Sequence, residues 1–120
     1  MKIDWKFDYD NVHDSLYIYG GKCGEKLKGS LDIGNFIIDL TASNRVSGLE
    51  ILDFKEVLKN LGVQNPEEIA RNIQSAQLKA VSKIDSIVVY YLIECKGAKI
   101  GSSVAVALEE GKKIKLGDKM

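Results

Sequence analysis

The chain has 120 residues, 45% of them hydrophobic and 28% charged, which suits a single domain with its own core and is too apolar for disorder. Seventeen basic residues balance seventeen acidic ones for a formal charge of zero, which argues against a protein that holds nucleic acid through an overall basic field. No run reaches the ~20 apolar residues of a membrane span, and the start Met1-Lys2-Ile3-Asp4-Trp5-Lys6 has no apolar signal-peptide segment. Cys23 and Cys95 lie far apart and outside any C-x-x-C spacing, so neither a zinc nor a redox motif is suggested. The expectation is a cytoplasmic protein with reduced thiols.

Taken in chain order, the first half reads as short strands. Ile3 to Tyr9 alternates, putting Ile3, Trp5, Phe7 and Tyr9 on one face. The polar turn Asp10 to Asp14 then leads into the β-rich run Leu16 to Tyr19, ended by Gly20-Gly21, so a hairpin is expected. Leu27 to Ile33 reads as a short edge strand and Phe36 to Leu40 as a firmer one. Val46 to Leu52 follows, with a bulge or a close backbone approach expected at Gly48.

At Asp53 the period changes. Asp53 and Glu56 are spaced as a capping box, Phe54, Val57, Leu58 and Leu61 share one helical face, and Gly62 supplies a stop. Asn65-Pro66-Glu67-Glu68 starts a second helix, with Asn as N-cap and Pro at N1. Ile69, Ala70 and Ile73 form its apolar stripe, and its end falls between Asn72 and Gln77. Strands resume with a short Leu78 to Val81, then Ile84 to Cys95, apolar on both faces, then a turn at Lys96 to Lys99 and a return through Ile100 to Leu108. The basic tail, residues 111–119, reads as a fraying end. The expected fold is α+β: an antiparallel β-meander of four or five strands, two short helices over residues 54–76, and about three further antiparallel strands from residue 77.

Four pieces of the first half occur in a telling order: Phe7-Asp8-Tyr9-Asp10, Asp14-Ser15-Leu16-Tyr17-Ile18, Ile37-Ile38-Asp39-Leu40, and Arg45 through Asp53. In that series they resemble a small prokaryotic family, domain of unknown function 2283, over roughly residues 7–53. In the family pattern an acidic turn precedes Leu-Tyr-Ile, and a Gly-x-Glu-Ile-Leu strand closes the unit. The family more often has Ala where this chain has Ser15. The resemblance implies a module and brings no catalytic residues with it.

Candidate chemistry is sparse. His13, the one histidine, could act as a base toward Ser15 or Cys23, yet no orienting partner is in view. Asp8, Asp10, Asn11 and Asp14 are the densest oxygen donors, so Asp8, Asp10 and Asp14 are the metal candidates; ordinary turn chemistry explains the same residues, and the EF-hand glycine and closing glutamate are missing. Asp39 and Glu50 fall within strands, where a cross-strand carboxylate pair could do acid–base work, or could lie on a solvated face answering Arg45 or a lysine. Gly20-Gly21-Lys22-Cys23-Gly24 fits no phosphate loop and reads as turn glycines. The five tyrosines could stack on single-stranded nucleic acid, but strand aromatics more commonly fill a core or an interface.

The favoured reading is a non-catalytic interaction module that self-associates, as a homodimer, with Val88, Tyr90, Tyr91 and Leu92 as interface candidates, because a strand apolar on both faces needs cover on both. A small-ligand or metal-binding regulator is the alternative, and a nucleic-acid-associated regulator the third; the reading leans away from an enzyme. No cofactor is implied, a protein partner fits, and neither membrane nor nucleic acid is expected as a partner.

Overall fold

The computed structural model describes residues 4–20 and 27–107. Ile3, Gly21 to Gly24 with Cys23, Leu108 and the basic tail lie outside the described residues. Among the described residues the architecture is α+β, with eight strands in antiparallel sheets of five and three and two short helices between β5 and β6.

Strands β1 (Lys6–Asp10) and β2 (Ser15–Tyr19) form the expected hairpin, with Phe7 opposite Ile18 and Tyr9 opposite Leu16. Strands β3 (Leu27–Ile33), β4 (Phe36–Thr41) and β5 (Val46–Ile51) follow as a meander, but the sheet order is β1-β2-β5-β4-β3. Consecutive pairing therefore breaks between β2 and β3, and β5 returns to lie beside β2. Burial explains this order. Gly48, Leu49 and Ile51 of β5 are buried, which suits a central strand, whereas β3 is exposed along most of its length and takes the edge.

Helix α1 (Phe54–Asn60) begins differently from the expected capping box. Asp53 has a left-handed backbone (φ 50°) and makes no side-chain cap. The cap comes instead from the β1–β2 turn: the Asp14 carbonyl accepts the Phe54 N–H at 2.9 Å, and its carboxylate accepts the Lys55 N–H at 3.1 Å. The C-terminus closes as the Gly62 signal predicts. The Val63 N–H reaches the Leu58 carbonyl and the Gly62 N–H that of Lys59, with Gly62 at φ +90°.

Helix α2 (Pro66–Arg71) has proline at its start, and the Asn65 side chain bonds Glu68 rather than the backbone. It is shorter than expected. Ile73 is not part of its stripe but opens β6 (Ile73–Ser82), pairing with Cys95. The helical segment thus stops well before residue 76, and β6 is ten residues long rather than a short Leu78 to Val81. Its inward residues include Ala76 and Leu78, and an alanine contributes too little apolar contrast for the alternation to be conspicuous.

Strands β7 (Ser86–Cys95) and β8 (Ala98–Ala107) are joined through Gly97 at φ +80°. Ile87, Val89, Tyr91 and Ile93 point inward, where Val89, Tyr91 and Ile93 join Leu16, Ile18, Ile38, Leu49, Ile51, Phe54 and Leu58 in one core cluster. The inner face of β7 is thus covered by the first sheet as well as by the helices; the Phe36 and Tyr91 ring centroids lie 6.0 Å apart across that junction. No helix among the described residues is long and apolar enough to cross a membrane.

Candidate functional site

The outer face of the first sheet is built by strand alternation. Tyr17 and Tyr19 on β2 point away from the core because Leu16 and Ile18 point into it. By register, Tyr17 lies beside Glu50 and Tyr19 beside Gly48, while Glu50 and Gly48 face Ile37 and Asp39 of β4. Asp39 and Glu50 are therefore diagonal neighbours on one face, the geometry that brings strand residues roughly 7–8 Å apart.

Tyr17 crosses the intervening strand to reach Asp39. Its hydroxyl donates to Asp39 Oδ2 at 2.6 Å, and Ser30 on β3 donates to Asp39 Oδ1 at 2.7 Å. The crossing is possible because β5 has no side chain beneath the ring. A Cβ on Gly48 would sit 2.9 Å from the Tyr17 hydroxyl and 3.0 Å from Asp39 Oδ2. A register shift between β4 and β5 lies immediately beside it, between Asp39 and Leu40, and the close approach at Gly48 is made by side chains, where the sequence predicts a bulge or a close approach of backbone. Burial first, then the bond to Asp39, pushes the Tyr17 phenol above the ordinary tyrosine range. Tyr17 also stacks on Tyr19, with centroids 5.0 Å apart. Both oxygens of Asp39 are engaged by hydroxyls rather than by Arg45 or a lysine. As it stands, this constellation is a cross-strand clamp spanning β2 to β3. Sequence reasoning named Asp39, Glu50 and Gly48, took Tyr17 only as one of five possible stacking aromatics, and missed Ser30; the internal glycine was the available signal, though it could not say which ring fills the gap.

The β1–β2 turn uses its acids internally. Asp10 Oδ1 accepts the Val12 and His13 N–H groups, and Asp10 Oδ2 meets His13 Nδ1 at 2.8 Å. That His13 bond, first among its causes, lowers the Asp10 carboxyl below its usual range. Asp14 accepts the Tyr9 hydroxyl at 2.6 Å as well as the Lys55 N–H, and burial followed by this bond raises the Tyr9 phenol. Asp8 is exposed on β1, opposite Tyr17. The three metal candidates thus serve separate purposes, and among the described residues no group of three or more His, Cys, Asp or Glu side chains could hold a metal ion. His13 stands at this turn and not on the sheet face that carries Asp39 and Glu50.

Because Asp14 joins a tyrosine, a helix start and a left-handed turn position (φ 54°), Asp14→Ala should cost about 2–3 kcal/mol. Asp14→Asn keeps an acceptor and tolerates that conformation, so it should cost less than about 1 kcal/mol. Urea midpoints of the two variants check this; equal losses would show that a neutral acceptor cannot replace the carboxylate there.

A cleft between α1 and α2 is crossed by the ion pair of Lys55 with Glu67 (3.1 Å), and Glu67 also pairs with Arg71 (3.0 Å) one turn along α2. The Lys55 hydrogen bond, the largest influence, lowers the Glu67 carboxyl below its usual range. Asp14 is the single sequence candidate that lines this cleft.

On the second sheet, Val88, Tyr90 and Leu92 point outward, with Tyr90 48% exposed. Register surrounds them with Val81, Lys79 and Gln77 on β6 and Ala105, Ser103 and Gly101 on β8. Tyr91 is a correction to the expected interface: it is 3% exposed and belongs to the core, since adjacent residues of a strand face opposite ways. Cys95 is also buried inward, its thiol donating to the Ile69 carbonyl at 3.7 Å and raised by burial.

Residues 6–55 match the model of a family described as Protein of unknown function (DUF2283), the segment and family expected from the four sequence pieces. A protein of Methanosarcina mazei, named provisionally as a hypoxanthine phosphoribosyltransferase, is 33% identical over 63 residues, 47% of this chain and 50% of that protein. An uncharacterized protein of Methanocaldococcus jannaschii is 39% identical over 69 residues, 51% of this chain and 56% of that one. The chain spans about half the length of the curated relatives it matches. No solved structure matches it.

Proposed function

We propose that this protein is a non-catalytic interaction module that associates with a second copy of itself through the outer face of β6, β7 and β8. The observation that carries the reading is the row Val88, Tyr90 and Leu92, flanked by Val81 and Ala105, which no element among the described residues covers. Small residues on β8, namely Gly101, Ser103 and Ala105, leave the face flat enough for another sheet to approach. Charge supports a copy of the same chain as the occupant. Lys79 and Lys99 share this face with Glu94, so a two-fold arrangement can bring lysines of one copy toward the glutamate of the other. Ten-residue strands at standard spacings offer roughly 450 Å² per partner, the low end for a specific interface, so the association should be concentration-dependent.

Native mass spectrometry of the wild-type chain at micromolar concentration should give a multiple of 13.3 kDa. Tyr90→Lys should lower that assembly mass with the circular dichroism unchanged. An assembly unaffected by Tyr90→Lys, or a wild-type monomer throughout, would overturn the reading.

A further inference from the structure

Among the described residues the two sheets have four edges, and three of them carry features that discourage pairing with another chain. Strand β1 is five residues long and sends Lys6, Asp8 and Asp10 outward. Strand β3 has a register shift between Leu27 and Gly29, and β6 has one between Ile73 and Ser75 and carries Lys79. Strand β8 is longer than β1 and, unlike β3 and β6, regular. It pairs with β7 over ten consecutive residues without a register shift, contains no proline, and has one charged residue, Lys99, held 3.5 Å from Glu94 at one end. Among the described residues no strand lies beyond it. A regular edge of this length presents a row of backbone donors and acceptors spaced for another strand.

We propose that β8 pairs antiparallel with β8 of a second copy, continuing the three-stranded sheet into one of six strands. The strand is its own best complement. A two-fold axis through Ser102 places Ile100 opposite Val104 and Ala98 opposite Val106, which keeps the inward residues of both copies on the core side. It also sets the two Lys99 side chains at opposite ends of the new pair, so like charges do not meet. This contact is separate from the Tyr90 face. One two-fold runs through the sheet and the other lies along its outer surface, and where the two axes meet at right angles they assemble four copies with closed symmetry.

The test uses the full chain carrying Tyr90→Lys, which silences the face and leaves the edge intact. Its native mass should be twice 13.3 kDa. Amide exchange followed by NMR reads the edge directly, because alternate amides of β8 bond to β7 and the other set points outward. Over residues 100–104 the outward set should slow by at least about tenfold at high concentration and lose that protection on dilution, while the inward set stays protected. A monomeric Tyr90→Lys protein overturns the edge pairing and leaves the face reading standing. Protection of the outward set that does not change with dilution assigns the edge to a segment of the same chain and also overturns it. Conversely, concentration-dependent protection in a protein whose mass Tyr90→Lys does not lower supports the edge and removes the face.

Discussion

Tyr91→Lys should abolish cooperative folding, whereas Tyr90→Lys, one residue earlier, should leave the melting temperature almost unchanged. Tyr91 is 3% exposed, faces Leu78 and Ser102 across the strands, and packs near Phe36 of the other sheet. A lysine there would leave an ammonium in the core without a carboxylate and would also lose the ring's contacts. Each mechanism is among those that produce losses above about 4 kcal/mol, against a total stability for such a domain of about 5–15 kcal/mol. Tyr90 is 48% exposed on the opposite face, where a substitution away from special features shifts stability by about 0.5 kcal/mol or less. Thermal melts followed by far-ultraviolet circular dichroism decide between these outcomes. A well-folded Tyr91→Lys protein would mean that the second sheet does not pack on the first as described.

The second large effect concerns a residue with no side chain. Gly48→Ala should destabilise the protein by about 2–3 kcal/mol, combining overpacking against Tyr17 with loss of a hydrogen bond to a carboxylate. For a domain of this size that corresponds to a drop of roughly 8–15 °C in Tm. Glycine is usually argued from backbone freedom, but the reason here is room: the Tyr17 ring and Asp39 already occupy the space a methyl would take. The same substitution should therefore cost far less in a Tyr17→Ala background, because the ring it displaces is gone. A double-mutant cycle on these two positions should show coupling above about 1 kcal/mol. Strictly additive losses would show that Gly48 matters for some other reason. The result would also give the Gly-x-Glu-Ile-Leu piece a physical meaning, since its glycine makes the crossing possible and its glutamate stands beside the same tyrosine.

Much of the fold was legible where a residue and its near neighbours decide the outcome. Alternation located β1, runs of β-favouring and apolar residues located β2, β4 and β7, Pro66 marked the start of α2, and Gly62 ended α1, because side-chain direction and backbone preference act within a few residues. The start of β6 escaped the same reading. Ile73 satisfies a helical spacing from Ile69 equally well, and its pairing with Cys95, across 22 positions of chain, is what draws it into a strand. The capping box at Asp53 failed for a related reason: local spacing identified a competent acceptor, but the Asp14 carboxylate, 41 residues from Lys55 in the chain, occupies that role.

The candidate sites divide along the same line. Asp39, Glu50, His13 and the three turn aspartates could be named from the chain, since their chemistry is intrinsic to the residue. Which of them meet is a property of register and sheet order. Placing β5 between β2 and β4 brings Glu50 to Tyr17 and lets Tyr17 reach Asp39, while the turn holds His13 against Asp10. Residue type and short-range periodicity thus specify the elements and the family segment, because they depend on interactions along the chain. Strand order, the clamp over Gly48 and the outward, exposed placing of Tyr90 depend on contacts between distant segments, whose energies exist once the chain has folded.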